Sequence, residues 1–399
     1  MEKLSIASVG SNVGGFVKTL NGATGTGFAE GTHVHKDWWA QTQSYDQIHD
    51  KMEDAARMRE DVLVPLSAIS GEIVGDKFAL KVEDRYFEPT DWALSQMSTR
   101  LEIPSSTILR ELRKLESFDS GDAETMAKIT NNAIRRLDPT KNFRLRTYSD
   151  GTLRAFVTEK YGPVDNRWYL DVLREFLPDG RISHWKGDED TIYGNLLLPD
   201  SVIDYGQSDD SDYGAMLSIS NCEIGKRRVS QRPSVFRSIC MNGCIWGGVE
   251  GEDVNKRHSG KIDLELFKIR IAENIEKQLP ILDNGIRNFL ATAGELYTTK
   301  GASIKNVFAV VGTKMKLTKA QTKESYIQWA SHESEFESLF GVINGITRAA
   351  QTFDPSSWVN LDFAGGELLN MSPEKWKTVV KSSFSLDDAD VEAIFAGAA

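Results

Sequence analysis

The chain has 399 residues, 40% hydrophobic and 26% charged, which is enough for a sizeable core and about two domains. No apolar run approaches the roughly 18 residues that span a bilayer, so no membrane segment is expected. The formal charge of −11 argues against indiscriminate coating of nucleic acid, and three cysteines form no disulfide framework and fit a reducing cytoplasm.

Residues 1 to 35 are rich in Gly, Ser and Thr, with seven glycines between Gly10 and Gly31. This composition buries too little apolar area to offset its chain entropy and predicts a flexible arm. Met1-Glu2-Lys3-Leu4-Ser5 does not open a secretory signal, so a cytoplasmic protein is expected. Gly25-Thr-Gly27-Phe-Ala-Glu-Gly31 looks like a phosphate-binding fingerprint, but no apolar strand precedes it and no Gly-Lys-Ser/Thr follows, so it reads as linker. Trp38 and Trp39 can anchor the arm, and residues 42 to 60 are polar and helical. The first unit is thus residues 1–60, an arm with a short helix.

The second unit, residues 61–260, is an α+β core. Val62, Val64 and Leu66, then Ile73 to Val74 and Phe78 to Val82, predict short strands around Gly71 and Gly75-Asp76. Thr90-Asp91 caps a helix that runs to about Arg100. A second helix starts near Ser105-Ser106, and a third covers 121 to 136. Phe143 to Val157 is a β-hairpin turning at Ser149-Asp150-Gly151. A three-residue loop with Gly151 left-handed sorts its residues best. Phe143, Leu145, Thr147, Leu153, Ala155 and Val157 then share one face. Arg144, Arg146, Tyr148, Arg154 and Phe156 share the other, a basic and aromatic surface of the kind that binds single-stranded nucleic acid. The alternative is a face covered by a helix, with its arginines paired at the edge. Further on, a helix covers 167 to 177, strands cover 192 to 198 and 214 to 220, and an acidic loop with five aspartates lies between the strands. Ala215, Leu217 and Ile219 point to one side of the second strand. Val235 to Cys240 fits a strand or a short helix.

Between Asn221 and Lys261 stand eight Lys/Arg against four Asp/Glu, so this segment is +4 and the remainder −15. Lys226, Arg227, Arg228 and Arg232 are candidate phosphate contacts, with Lys226, Arg228 and Arg232 on one side if 226 to 232 is a strand. A solvated charge run is the plain alternative. Arg237, between Phe236 and Ile239, reads instead as a paired structural arginine. Cys240 and Cys244 form one loose ligand pair, with Cys222, His33 and His35 elsewhere. Zinc sites carry two close pairs, so neither a metal nor any other cofactor is expected. The acidic runs Asp188-Glu-Asp190 and Asp209-Asp210 could meet magnesium only with further ligands. No nucleophile–base signature appears.

The third unit, residues 261–399, is helical. Leu264, Phe267, Ile271, Ile275, Leu279, Leu282, Ile286 and Phe289 step by three or four, which predicts a long amphipathic helix bent or broken at Pro280. Helices continue through 319 to 351. The tail from Ser385 to Phe395 predicts a short helix capped by Ser385. It either docks on the core or, being acidic and aromatic, recruits a protein partner.

Ile219-Ser-Asn-Cys-Glu-Ile-Gly225, followed by Arg237-Ser-Ile-Cys240-Met-Asn242-Gly243, resembles a family of phage- and plasmid-encoded proteins known as domain of unknown function 932. Tyr161-Gly-Pro-Val-Asp-Asn166 and Asn344-Gly-Ile-Thr347 are similar to further pieces of that family, so the resemblance covers about residues 60 to 350. Cys222 stands where relatives often have Ser. The resemblance implies mobile-element DNA biology without fixing an activity. With the basic segments, it makes non-enzymatic binding or annealing of single-stranded DNA in phage or plasmid recombination the leading expectation, with the chain working as a homo-oligomer. A mobile-element protein that binds host or phage proteins without DNA is the second expectation, and a metal-dependent nuclease the third. The fold expected is α+β, with a central antiparallel sheet, long C-terminal helices and a flexible Gly-rich N-terminal arm.

Overall fold

A computed structural model describes residues 42–395 apart from 116, 188–190, 205–211, 238–241, 246–259 and 261. The Gly-rich arm, its fingerprint and both short acidic runs lie outside the described residues. The fold is α+β.

The first helix, α1 (Tyr45–Met58), starts at a reciprocal cap in which the Ser44 side chain accepts from Gln47 N and Gln47 accepts from Ser44 N. It leads into β1 (Arg59–Pro65), β2 (Ile69–Val74), β3 (Lys77–Val82) and β4 (Arg85–Pro89). Three helices follow: α2 (Asp91–Arg100), α3 (Ile108–Arg113) and α4 (Ser120–Arg136). Thr90 caps α2 by accepting from Ala93 N, as its position predicts. The hairpin β5 (Asn142–Tyr148) and β6 (Thr152–Thr158) completes a six-stranded sheet in the order β1-β5-β6-β4-β3-β2. Its pairs are antiparallel except β4 with β6. Helices α2 and α4 cover one face of this first sheet, burying Phe78, Leu80, Leu94, Met97, Met126, Phe143, Leu145, Leu153 and Phe156 together.

The chain then forms α5 (Asn166–Phe176), β7 (Arg181–Gly187), β8 (Thr191–Leu197), β9 (Ile203–Asp204), β10 (Asp212–Cys222), β11 (Ser230–Arg237) and β12 (Asn242–Ile245). These strands build a second sheet, β12-β11-β10-β8-β7, with β9 pairing β10. One face carries Ile192, Leu196, Ala215, Leu217 and Ile219 against Leu170 and Leu173 of α5. Phe267, Ile271 and Ile275 of α6 (Leu264–Ala291) pack there too, and this helix runs through Pro280 without a break. The ambiguous stretch from Val235 is strand as far as Arg237.

Six further helices, α7 (Ile304–Lys314), α8 (Lys319–His332), α9 (Leu339–Ala350), α10 (Pro355–Leu369), α11 (Pro373–Ser383) and α12 (Asp388–Phe395), pack on one another around a core that includes Ile286 and Phe289 of α6, with α9 and α10 against β12. Helix α12 starts later than Ser385 suggests. Asp387 Oδ1 accepts from Asp390 N, and the Ser385 hydroxyl donates back to Ser382 O.

The hairpin corrects one expectation. Its three-residue loop and left-handed Gly151 (φ +83°) are as read. The register, however, shifts between Arg146↔Ala155 and Thr147↔Leu153, leaving Arg154 as an extra residue on β6. Beyond this bulge the alternation changes phase. Phe156 pairs with Leu145, its ring 4.8 Å from that of Phe143, inside the apolar core. Ala155 and Val157 move to the opposite face, against Tyr161, Cys222 and Ile224.

Candidate nucleic-acid interface

The basic face of the hairpin is not open. Arg144, Arg146, Tyr148 and Arg154 do share it, but a turn from the second sheet lies on top. That turn is Asn221-Cys-Glu-Ile-Gly225, which leaves β10 and places Glu223 against the first sheet. Gly225 sits at φ +74°, where a Cβ would meet the Tyr161 ring at 3.1 Å, so only glycine suits both its backbone and its space. Asn221 donates from Nδ2 to Val164 O (2.8 Å) and Asn166 Oδ1 (2.9 Å). Trp92 Nε1 and Gln96 Nε2 both donate to Ile224 O, at 3.0 and 2.8 Å.

Glu223 joins an ionic cluster drawn from both sheets. Arg59 donates to Glu223 Oε2 (2.7 Å) and Asp165 Oδ2 (2.8 Å). Arg146, 2% exposed, donates to Asp61 twice, to Glu223 O at 3.0 Å and to Asp165 Oδ1 at 3.5 Å. Asn166 N donates to Glu223 Oε1 at 2.6 Å and the Tyr161 hydroxyl to Glu223 O at 2.8 Å. Burial opposes the Arg146 charge, yet Asp61, Glu223 and Asp165 outweigh it and hold its pKa above the ordinary arginine value. Burial raises the Glu223 carboxyl, and Arg146 and Arg59 pull it back only in part. Two guanidiniums thus stand among three carboxylates, and a buried network so densely paired is a joint between sheets.

Four of the hairpin residues, Arg146, Tyr148, Arg154 and Phe156, are therefore too buried to serve as the open contacts expected of them. Arg146 and Phe156 are buried. Tyr148 is buried beneath Arg154, whose guanidinium lies 3.7 Å from its ring centroid and also reaches Asp150 at 3.4 Å. Arg144 is half-buried, opposite Leu63 in register. Arg237 is the paired structural residue expected, with Nη1 2.8 Å from both Glu333 oxygens and both residues buried.

The second basic group is differently placed. Strand β11 begins at Ser230, so Lys226, Arg227 and Arg228 form a turn and not a strand, and their alternation with Arg232 does not apply. Lys226 and Arg228 are exposed and Arg227 half-buried. None makes an ion pair with any described residue. The turn is pinned below by buried Val229 and by a 2.7 Å contact between the Ser220 and Ser230 hydroxyls. Arg232 lies on β11 with its guanidinium 3.8 Å from the Phe363 ring centroid of α10.

The sheet face beneath that turn holds a polar layer missed in the sequence. Asn195, Ser218 and Arg232 stand side by side on β8, β10 and β11. Ser218 Oγ donates to Asn195 Oδ1 at 2.8 Å, while Asn195 Nδ2 and Ser234 Oγ find no partner among the described residues. Over them, Asp362 of α10 is 0% exposed. Tyr193 Oη (3.0 Å) and Trp358 Nε1 (2.8 Å) both donate to its Oδ2, and its Oδ1 has no partner among the described residues. Burial pushes the Asp362 carboxyl well above the usual carboxylate range, and the Tyr193 and Trp358 donors pull it back only in part. Its signal was a lone acid inside the apolar run Trp358-Val-Asn-Leu-Asp-Phe363.

Among the described residues no group of three or more His, Cys, Asp or Glu side chains is arranged to hold a metal ion. Cys222 is a buried free thiol, and His33, His35 and Cys240 lie outside the described residues. No described helix is long and apolar enough to cross a membrane. Comparison with protein-family models, curated proteins and solved structures gives no match.

Proposed function

We propose that this chain is a non-enzymatic binder of single-stranded DNA, acting as a homo-oligomer in the recombination of a phage or plasmid. Its contact is the β10–β11 turn, Lys226, Arg227 and Arg228, and not the hairpin face. The observation that carries this reading is three consecutive cations, Lys226 and Arg228 exposed and Arg227 half-buried, on a turn pinned by the Ser220–Ser230 contact, with no carboxylate partner among the described residues. In a chain of net charge −11, such a turn gives a local phosphate contact on a surface that otherwise repels polyanions.

A labelled oligonucleotide titrated at several salt concentrations tests this. Each phosphate neutralised on a single strand adds about −0.7 to the slope of log affinity against log salt, so replacing all three cations by Ala should flatten the slope by roughly 2. Folded wild-type protein that binds no oligonucleotide at low salt would overturn the reading and favour a protein partner.

A further inference from the structure

Helices α7 and α11 run antiparallel, since Asn306 Nδ2 near the start of α7 donates to Ser383 O at the end of α11 (3.2 Å). Helix α12 closes that end, tied by Lys305 Nζ to Glu392 Oε1 at 2.6 Å. Between the three helices lies an open groove of about 480 Å³. Such a volume suits a small ligand or a short peptide segment.

The groove is graded along its length. The antiparallel packing brings Lys314, in the last turn of α7, to the same end as Lys375, in the first turn of α11. Both lysines are exposed, and neither is ion-paired with a described residue. The far end is apolar, made by Val379, Leu386 and Ile394, with Phe384 beside it 62% exposed.

Four hydroxyls line the walls, and each has already spent its single hydrogen. Thr313 donates to Ala309 O (3.0 Å) and Thr378 to Glu374 O (3.0 Å). Ser382 donates to Thr378 O (2.9 Å) and Ser385 to Ser382 O (2.7 Å). What they offer a ligand is lone pairs. A fitting ligand brings N–H donors along its middle, an anion at one end and an apolar group at the other. A nucleic-acid strand repeats its phosphate acceptors along its whole length, whereas the groove offers donors only at the Lys314–Lys375 end. A fatty acid has no donors along its chain.

We propose that this groove docks an extended peptide segment of a partner protein, with a carboxylate held by Lys314 and Lys375 and an apolar side chain seated on Val379, Leu386 and Ile394. The assignment stands apart from the DNA contact at the β10–β11 turn.

The test is selection of a random-peptide display library on the whole protein, followed by fluorescence anisotropy with the enriched peptides. Enriched sequences should share a carboxylate and an apolar residue. They should bind the double variant Lys314→Glu/Lys375→Glu at least roughly tenfold more weakly, because the charge pair becomes a repulsion. Thr378→Val keeps the shape but removes one acceptor, and should weaken binding by about threefold. Lys226→Ala should leave peptide binding unchanged. Absence of enrichment, enriched peptides without carboxylates, or equal affinity for the double variant would each overturn the proposal. So would dodecanoate binding with the same lysine dependence in the absence of any enriched peptide. If the double variant does not fold, Thr378→Val alone decides, and unchanged affinity there would sink the assignment.

Discussion

Arg146 on β5 and Asp61 on β1 form a two-pronged pair, Nε to Oδ1 at 2.8 Å and Nη2 to Oδ2 at 2.7 Å, directly opposite each other in register. The geometry is the strong, parallel form of a charge-assisted contact. Its arginine is buried, because Glu223 arrives from the other sheet and covers it, while Asp61 keeps an edge toward solvent. Truncation here strands buried charges. We expect Arg146→Ala to cost about 3–5 kcal/mol in urea denaturation. Arg85→Ala breaks the exposed pair with Glu60 and should cost at most about 1 kcal/mol. Equal costs would mean that the joint is no more than a surface feature.

Asp362 sets a pH dependence of unusual sign. Its folded pKa is raised, whereas an unfolded aspartate titrates near about 3.9. Above that pH the unfolded state releases a proton that the folded state keeps. Stability therefore falls as pH rises from about 4 toward the folded pKa, by up to about 1.4 kcal/mol per pH unit. Asp362→Asn removes this loss while keeping an oxygen for Tyr193 and Trp358. The variant should be more stable than wild type at pH 8, and the gap should close near pH 4. Asp61 behaves oppositely: burial raises its carboxyl, but Arg146 outweighs burial and the net shift is downward. Its contribution is present above about pH 4 and fades as pH falls.

The outer edge of β2 is sealed by one side chain. Asn131 of α4 accepts from Gly71 N and donates to Gly71 O, both at 2.8 Å, as a neighbouring strand would. Ile73 and Val74, at the end of the same strand, are exposed. Asn131→Ala should cost about 1–3 kcal/mol and leave an edge ready to pair with another chain. Light scattering on heating should rise sooner in the variant than in wild type. A stability loss with unchanged scattering would count against the edge-sealing role.

Phe156 separates the hairpin as core from the hairpin as binding platform. Phe156→Ala should destabilise by about 3–5 kcal/mol, the usual loss for a buried ring. At a temperature where the variant stays folded, its oligonucleotide affinity and salt slope should match wild type. An affinity loss without a stability loss would return the ring to the surface.

Much of the architecture was readable from local chemistry. Thr90 before Asp91, the three-to-four spacing after Leu264 and the left-handed need at Gly151 each depend on near neighbours. They place α2, α6 and the hairpin loop. What escaped depends on distant partners. The bulge at Arg154 is a matter of how β6 lies on β5, and no residue type announces it. Strand β7, Arg181-Ile-Ser-His-Trp-Lys-Gly187, mixes polar and apolar residues as edge strands do, and so lacks a clear alternation. Arginines read the same whether they wait for phosphate or sit between carboxylates. Only the arrival of Glu223, 77 residues from Arg146, tells them apart. The turn that carries Lys226 follows a nearer signal, since β10 ends at Cys222 and left-handed Gly225 comes just before Lys226.

The covering of Arg146 by Glu223 also imposes an order in time. The strands of the first sheet are all synthesised by Thr158, but Glu223 emerges 65 residues later. At roughly 5–20 residues per second, a nascent chain waits about 3–13 seconds with the Arg146 side of its sheet unshielded. During that interval Val157 and Tyr161 face solvent beside a guanidinium that has Asp61 but not yet Glu223 as a partner. A ribosome stalled between the two points would display a nearly complete sheet with a sticky, charged underside, which is the species a chaperone is best placed to meet.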